Sequence, residues 1–85
     1  MKEFNYVIKD ELGIHARPAG MLTKLANTYE SKISITKGEK TIEATKLLML
    51  MGLGVKQGET VTIRIEGADE EAAFEGMQKF FDENL

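Results

Sequence analysis

Ser31-Lys32-Ile33-Ser34-Ile35-Thr36-Lys37-Gly38-Glu39-Lys40-Thr41-Ile42-Glu43 decides the fold class. Ile33 and Ile35 are separated by one polar residue, the period of a strand with one buried face. Lys37-Gly38-Glu39-Lys40 supplies a turn and Ile42 brings the chain back to the core, so the segment predicts a β-hairpin. Lys32, Ser34, Thr36 and Thr41 fall on the opposite face, polar enough to meet water. A sheet with one dry face needs its helices on that side only, and it is mainly antiparallel.

Working outward, Phe4, Tyr6 and Ile8 alternate in the same way and predict a first strand. Asp10-Glu11-Leu12-Gly13 breaks it. A helix follows from about Ala16 to Thr28, with Leu22, Leu25, Ala26 and Tyr29 as its apolar stripe. Pro18 belongs in the first turn, where its missing N–H removes no helical hydrogen bond. On the other side of the hairpin, the apolar run Lys46 to Gly54 reads as a short helix limited by Gly52 and Gly54. Gln57-Gly58-Glu59 turns the chain into a last strand, Thr60 to Glu66, with Val61, Ile63 and Ile65 inward and Thr62 and Arg64 outward. Asp69 is expected to cap a final helix, with Glu70 and Glu71 in the first turn, where negative charge is favoured. Phe74, Met77 and Phe81 form its stripe, widened by Ala73 and Phe80. The expected fold is α+β: one domain over 1–85, ordered β-α-β-β-α-β-α. It is a two-layer open-faced sandwich with a four-stranded, mainly antiparallel sheet and three helices on one face.

Composition narrows the function classes. A chain of 85 residues buries only about 60% of its unfolded surface, so it needs an efficient core. There is no cysteine and no apolar run of signal-peptide or membrane-spanning length, which points to the cytoplasm and to no membrane insertion. The net charge of −3 and the lack of a basic stripe with stacking aromatics argue against nucleic acid as a partner. No convergent set of acid, base and metal ligands suggests an enzyme with its own turnover, and none implies a metal or cofactor.

The chemistry concentrates in Gly13-Ile14-His15-Ala16-Arg17-Pro18-Ala19-Gly20, which holds the only histidine and the only proline. Imidazole is the side chain whose ordinary pKa lies nearest neutrality, so it is available as a nucleophile in the cell. A helix N-terminus offers free backbone N–H groups and a partial positive charge, which suit a phosphoryl group and favour it by roughly 0.3–1 kcal/mol at an exposed site. Arg17 adds a guanidinium fork for the same anion. A lone histidine in a small domain is more often a surface or packing residue, so the rest of the chain has to support the chemical reading.

Leu47, Leu48, Met49, Leu50, Met51 and Leu53 are too many apolar residues for one face of one short helix. Ordinary packing accounts best for Leu50 and is also open to Leu47. For some of Leu47, Leu48 and Met51 the alternative is an adaptable docking patch.

The His15 segment, the run ending Met51-Gly52-Leu53-Gly54-Val55, and the helix start Gly67-Ala68-Asp69-Glu70-Glu71 together resemble the HPr family. Its members are the histidine-containing phosphocarriers of the bacterial sugar phosphotransferase system. The resemblance covers essentially the whole chain, and the His15 segment is its specific part. It implies a relay: enzyme I, charged from phosphoenolpyruvate, donates a phosphoryl group to Nδ1 of His15, and the protein passes it to IIA units of sugar permeases. It further implies that Arg17 steadies the phosphoryl group with the Ala16 and Arg17 backbone N–H groups. Ala16, Gly20, Lys24, Leu47, Leu48 and Met51 match partner-contact positions on a monomeric carrier that needs no cofactor. One overlapping surface serves donor and acceptor, because the same His15 must face each in turn.

The chain departs from the family at Lys46. Members from low-GC Gram-positive bacteria carry a regulatory serine there, phosphorylated by HPr kinase/phosphorylase, and lysine offers no hydroxyl. Thr45 is the adjacent hydroxyl, out of register by one residue. The alternative to a sugar-system carrier is a paralogous regulatory phosphocarrier or a non-carrier binding module on the same scaffold. The presence of both His15 and Arg17 argues against a pure binding module.

Overall fold

The computed structural model describes residues 1–85. The elements are β1 (Lys2–Val7), α1 (Ala16–Ala26), β2 (Lys32–Lys37), β3 (Lys40–Glu43), α2 (Leu47–Gly52), β4 (Thr60–Glu66) and α3 (Glu70–Asn84), the expected order. The strands form one sheet in the order β1-β4-β2-β3. Every pairing is antiparallel. Adjacent in sequence, β2 and β3 form the expected hairpin, with Ile35 opposite Ile42 and Lys37 opposite Lys40. The last strand enters between β1 and β2, where Ile63 lies opposite both Phe4 and Ile35.

The period-2 pattern sorts the two faces as the sequence predicts. Ile33, Ile35, Ile42, Val61, Ile63 and Ile65 are buried beneath the helices. Polar pairs cross the open face: Thr62 Oγ1 donates to Asn5 Oδ1 at 2.7 Å, the Thr36 and Thr41 hydroxyls lie 2.8 Å apart, and Arg64 Nε donates to Glu3 Oε1 at 2.7 Å. Such exposed pairs fix register more than they stabilise, at about 0.2–1 kcal/mol each.

Helix α3 lies over β1, where Phe81 meets Phe4 and Tyr6 edge to face at centroid distances of 5.8 and 5.3 Å. Helix α1 packs against both α2 and α3. Of the α1 stripe, Leu22 and Ala26 are fully buried. The helix stops at Ala26 rather than Thr28, because Asn27 and Thr28 turn their side chains back onto the Thr23 and Leu25 carbonyls and close its end.

Asp69 corrects the sequence reading. It stands at the start of α3 but makes no side-chain cap. Its carboxylate instead crosses to the loop between α1 and β2, accepting from the Glu30 N–H and the Ser31 N–H at 2.8 Å each and from the Ser31 hydroxyl. The Ser31 hydroxyl first, and then the Glu30 N–H, hold the Asp69 carboxyl below the usual aspartate range. Glu70 takes over near the helix start, where its carboxylate accepts from the Gly67 N–H at 3.2 Å. The exchange depends on Gly67, whose φ of +154° and closeness to Ser31 leave no space for a Cβ. Joining two distant segments has displaced a local cap.

A second long-range tie secures α2. Lys37 Nζ donates to the Leu53 and Gly54 carbonyls at 3.2 and 3.0 Å, a cation at a helix C-terminal end where the dipole favours it. The same ammonium pairs with Glu59 at 3.1 Å, and Glu59 also accepts from the Lys56 N–H at 2.7 Å. The Lys56 N–H, and after it Lys37, hold the Glu59 carboxyl below the ordinary glutamate range.

Candidate functional site

His15 is the N-cap residue of α1, with φ −94° and ψ 179°, and its side chain does not cap the helix. The loop before it is fixed by backbone packing. Gly13 sits at φ +66°, and a Cβ there would lie 2.1 Å from the Val55 carbonyl oxygen. That oxygen instead accepts the Ile14 N–H at 3.1 Å. Glycine is required at this point by both its φ and its close approach. The approach ties the His15 loop to the chain that leaves α2.

The start of α1 leaves donors free. The first N–H to close a helical bond here is that of Ala19, which donates to the His15 carbonyl at 2.9 Å. Pro18 has none to offer. The Ala16 and Arg17 N–H groups therefore remain without a protein partner at the positive end of the helix. Pro18 is buried, which anchors the turn, while Ala16 and Arg17 stay exposed. The Arg17 guanidinium makes no ion pair in the structure. His15 and Arg17 line one shallow cleft with Asp10, Pro18, Met21 and Asn84. The ring of His15 is about one-third exposed, and its Nε2 lies 3.8 Å from Asp10 Oδ2. A partly exposed imidazole, an unpaired guanidinium and two unpartnered N–H groups are what a transient anion on the ring needs.

Ala16, Gly20 and Lys24 are spaced by four and share one face of α1. Around Gly20 there is open space even for an added Cβ, and Lys24 is exposed. In α2 the two alternatives for the apolar residues separate. Leu50 is fully buried, whereas Leu47, Leu48, Met49 and Met51 are 38%, 83%, 56% and 40% exposed. Packing thus takes Leu50 and leaves Leu47 at the surface. At about 100° per residue, Leu47, Met51 and Leu48 form one arc and Met49 lies on the other flank. There Met49 joins Leu48 in a groove against β3, with Thr41 and Ile42 on the strand side.

Asp10 and Met21 were not singled out by the sequence reading, and Met49 was counted in the apolar run but not among its docking candidates. Met21 is 45% exposed and follows Gly20 on the outer side of α1, so its place beside the Gly20–Lys24 face was a usable signal. For Asp10 there was none, because it read as part of a chain break.

Comparison with known proteins adds identity to this geometry. A family profile described as the PTS HPr component phosphorylation site matches residues 2–83. The phosphocarrier protein HPr of Lysinibacillus sphaericus is 42% identical over 77 residues, covering 91% of this chain and 88% of that protein. Among solved structures, HPr from Thermoanaerobacter tengcongensis superposes with a TM-score of 0.92 at 36% identity, covering 96% and 92% of the two chains. Crh, the Bacillus subtilis catabolite repression HPr, superposes with a TM-score of 0.69 at 28% identity, covering 99% and 100%. The HPr relatives are phosphocarrier proteins, not catalysts with turnover. A fold, a bare histidine-bearing helix start and a family profile spanning nearly the whole chain agree, and the chain belongs to the HPr family of phosphocarriers of the phosphotransferase system.

Proposed function

We propose that this protein relays a phosphoryl group through His15, from enzyme I to the IIA units of sugar permeases. The carrying observation is the start of α1, where the His15 ring stands beside two unpartnered N–H groups and an unpaired guanidinium. In the forward step the Nδ1 lone pair attacks phosphorus, an N–P bond forms, and the bond from phosphorus to the donor breaks. The Ala16 and Arg17 N–H groups and the Arg17 fork share the phosphoryl charge through charge-assisted hydrogen bonds. These donors are exposed to water, so they steady the group without trapping it, and the bond can break again on an acceptor.

Ala16, Gly20 and Lys24 on α1 and Leu47, Leu48 and Met51 on α2 form the surface for both partners. The apolar arc supplies contact area, and Lys24 supplies a charge. Lys46 stands at the family's regulatory serine position and closes that route of control. The reading places a monomeric carrier in the cytoplasm, with no cofactor. Crh makes a regulatory module the natural second reading, but a partly exposed His15 and an Arg17 without an ion pair together favour a carrier.

Incubation with enzyme I and phosphoenolpyruvate, followed by intact mass, tests the relay. One acid-labile, alkali-stable phosphoryl group per chain is expected, absent from His15→Ala. Labelling of His15→Ala to the wild-type extent sinks the assignment.

A further inference from the structure

We propose that Asp10 is a positioning residue for transfer at His15: its carboxylate keeps the ring proton on Nε2, so that Nδ1 presents the lone pair. The inference rests on the reading of His15 as the phosphoryl acceptor and adds the group that orients it.

The carboxylate is held from several sides. The Asp10 N–H donates to the Leu85 main-chain oxygen at 2.9 Å, and the Asp10 carbonyl accepts the Gly13 N–H at 2.9 Å. Its Oδ1 accepts the Leu12 N–H at 2.8 Å, a side-chain turn that fixes the carboxylate plane. Only Oδ2 is left, and it points toward His15 Nε2 at 3.8 Å. The histidine side is equally constrained, because Gly13 and Ile14 are locked against Val55. The other charged group in the cleft is Arg17, and the amide nitrogen of Asn84 is engaged by the Phe80 carbonyl at 3.1 Å. Among the residues that line the cleft, Asp10 is the one with a carboxylate side chain.

A neutral imidazole carries one N–H and one lone pair, and a neighbouring acceptor decides which nitrogen has which. A carboxylate on the Nε2 side favours the proton there. At 3.8 Å the contact is electrostatic and longer than a hydrogen bond, and such contacts commonly tighten in the reacting complex. Both directions of transfer benefit. On the way in, Nδ1 forms its bond to phosphorus while Nε2 keeps its proton. On the way out, the Nδ1–P bond breaks, its electron pair returns to Nδ1, and phosphorus bonds to the acceptor. The carboxylate keeps Nε2 protonated in the phosphorylated ring, so the ring departs as neutral imidazole and not as an imidazolate.

Asp10→Asn separates this role from the turn. Asparagine retains an oxygen for the Leu12 N–H, removes the charge, and can present an amide donor to Nε2. The ring nitrogens of His15 in the unphosphorylated protein are to be read by 15N chemical shift at a pH where the ring is neutral. The Nε2–H tautomer should dominate in the wild type and lose population to Nδ1–H in Asp10→Asn. Phosphorylation by enzyme I should fall about tenfold in kcat with KM within about twofold, and Asp10→Glu should restore part of it; about ten to one hundredfold is lost when the carboxylate behind a metal-bound histidine is removed, and the low end of that range is expected for a metal-free ring. An unchanged tautomer population, or a tautomer shift with wild-type kcat, overturns the inference. Neither result touches the assignment of His15, which stands or falls on His15→Ala.

Discussion

Helices α1 and α2 both begin without a side-chain cap, and the two bare starts serve different ends. At α1 the N-cap residue is His15, followed by two residues with free N–H groups and an arginine without a partner. Those donors suit a negative group that comes and goes. At α2 the N-cap residue is Lys46, whose ammonium adds positive charge to an end that is already positive. That start attracts no help from its own cap, and α2 is held from elsewhere. Leu50 is buried beneath it, and Lys37 grips the Leu53 and Gly54 carbonyls at its far end. A missing cap therefore has no single meaning, and the charge beside it and the way the helix is anchored decide its use.

The sharpest way to test this division lies within α2. Leu50→Ala removes a fully buried side chain and should lower stability by about 2–5 kcal/mol, read from chemical denaturation. Leu48→Glu changes the most exposed leucine of the helix, should leave the circular dichroism spectrum near native, and should weaken enzyme I binding by at least about 1 kcal/mol. Unfolding of Leu48→Glu would return that residue to the core and remove the docking surface.

The next effect belongs to α1. Arg17→Ala deletes an exposed guanidinium with no ion pair, so the melting temperature should hardly move. Transfer should slow in at least one direction by an amount equivalent to about 1.5–3 kcal/mol, the value of a hydrogen bond to a charged group. Wild-type rates toward both enzyme I and a IIA unit would leave the N–H groups as the only phosphoryl ligands.

The smallest effect is at Lys46. Lys46→Ser replaces a misplaced cation with a capping hydroxyl and should raise stability by about 0.5–1 kcal/mol. The wild type should take no phosphate from HPr kinase/phosphorylase and ATP, while Lys46→Ser should take some if the neighbouring apolar arc is recognised. Peptide mass spectrometry locates the phosphate, and its appearance on Thr45 of the wild type would restore a regulatory role and erase the contrast between the two helix starts.

Alternation and the period of 3.6 were enough to place the seven elements and their buried faces, since each pattern states which side of its own element is dry. The same logic put His15 at a helix start, because Pro18 and the apolar stripe mark where the helix begins. Strand order was not legible, because β4 enters between β1 and β2 to satisfy the buried faces of all three at once. Nor were the Asp69 bridge to Ser31 and the approach of Asp10 to His15. In both cases a carboxylate with an expected local role takes its position from chain that lies next to it only after folding. For Asp10 this means Leu85 and the Gly13–Val55 contact, the first separated from it by nearly the whole sequence. Local periodicity determined which residues are buried and where His15 stands. The stacking of distant segments alone decided which side chains reach it, since hydrogen-bond and ion-pair distances are set by how elements pack and not by their own patterns.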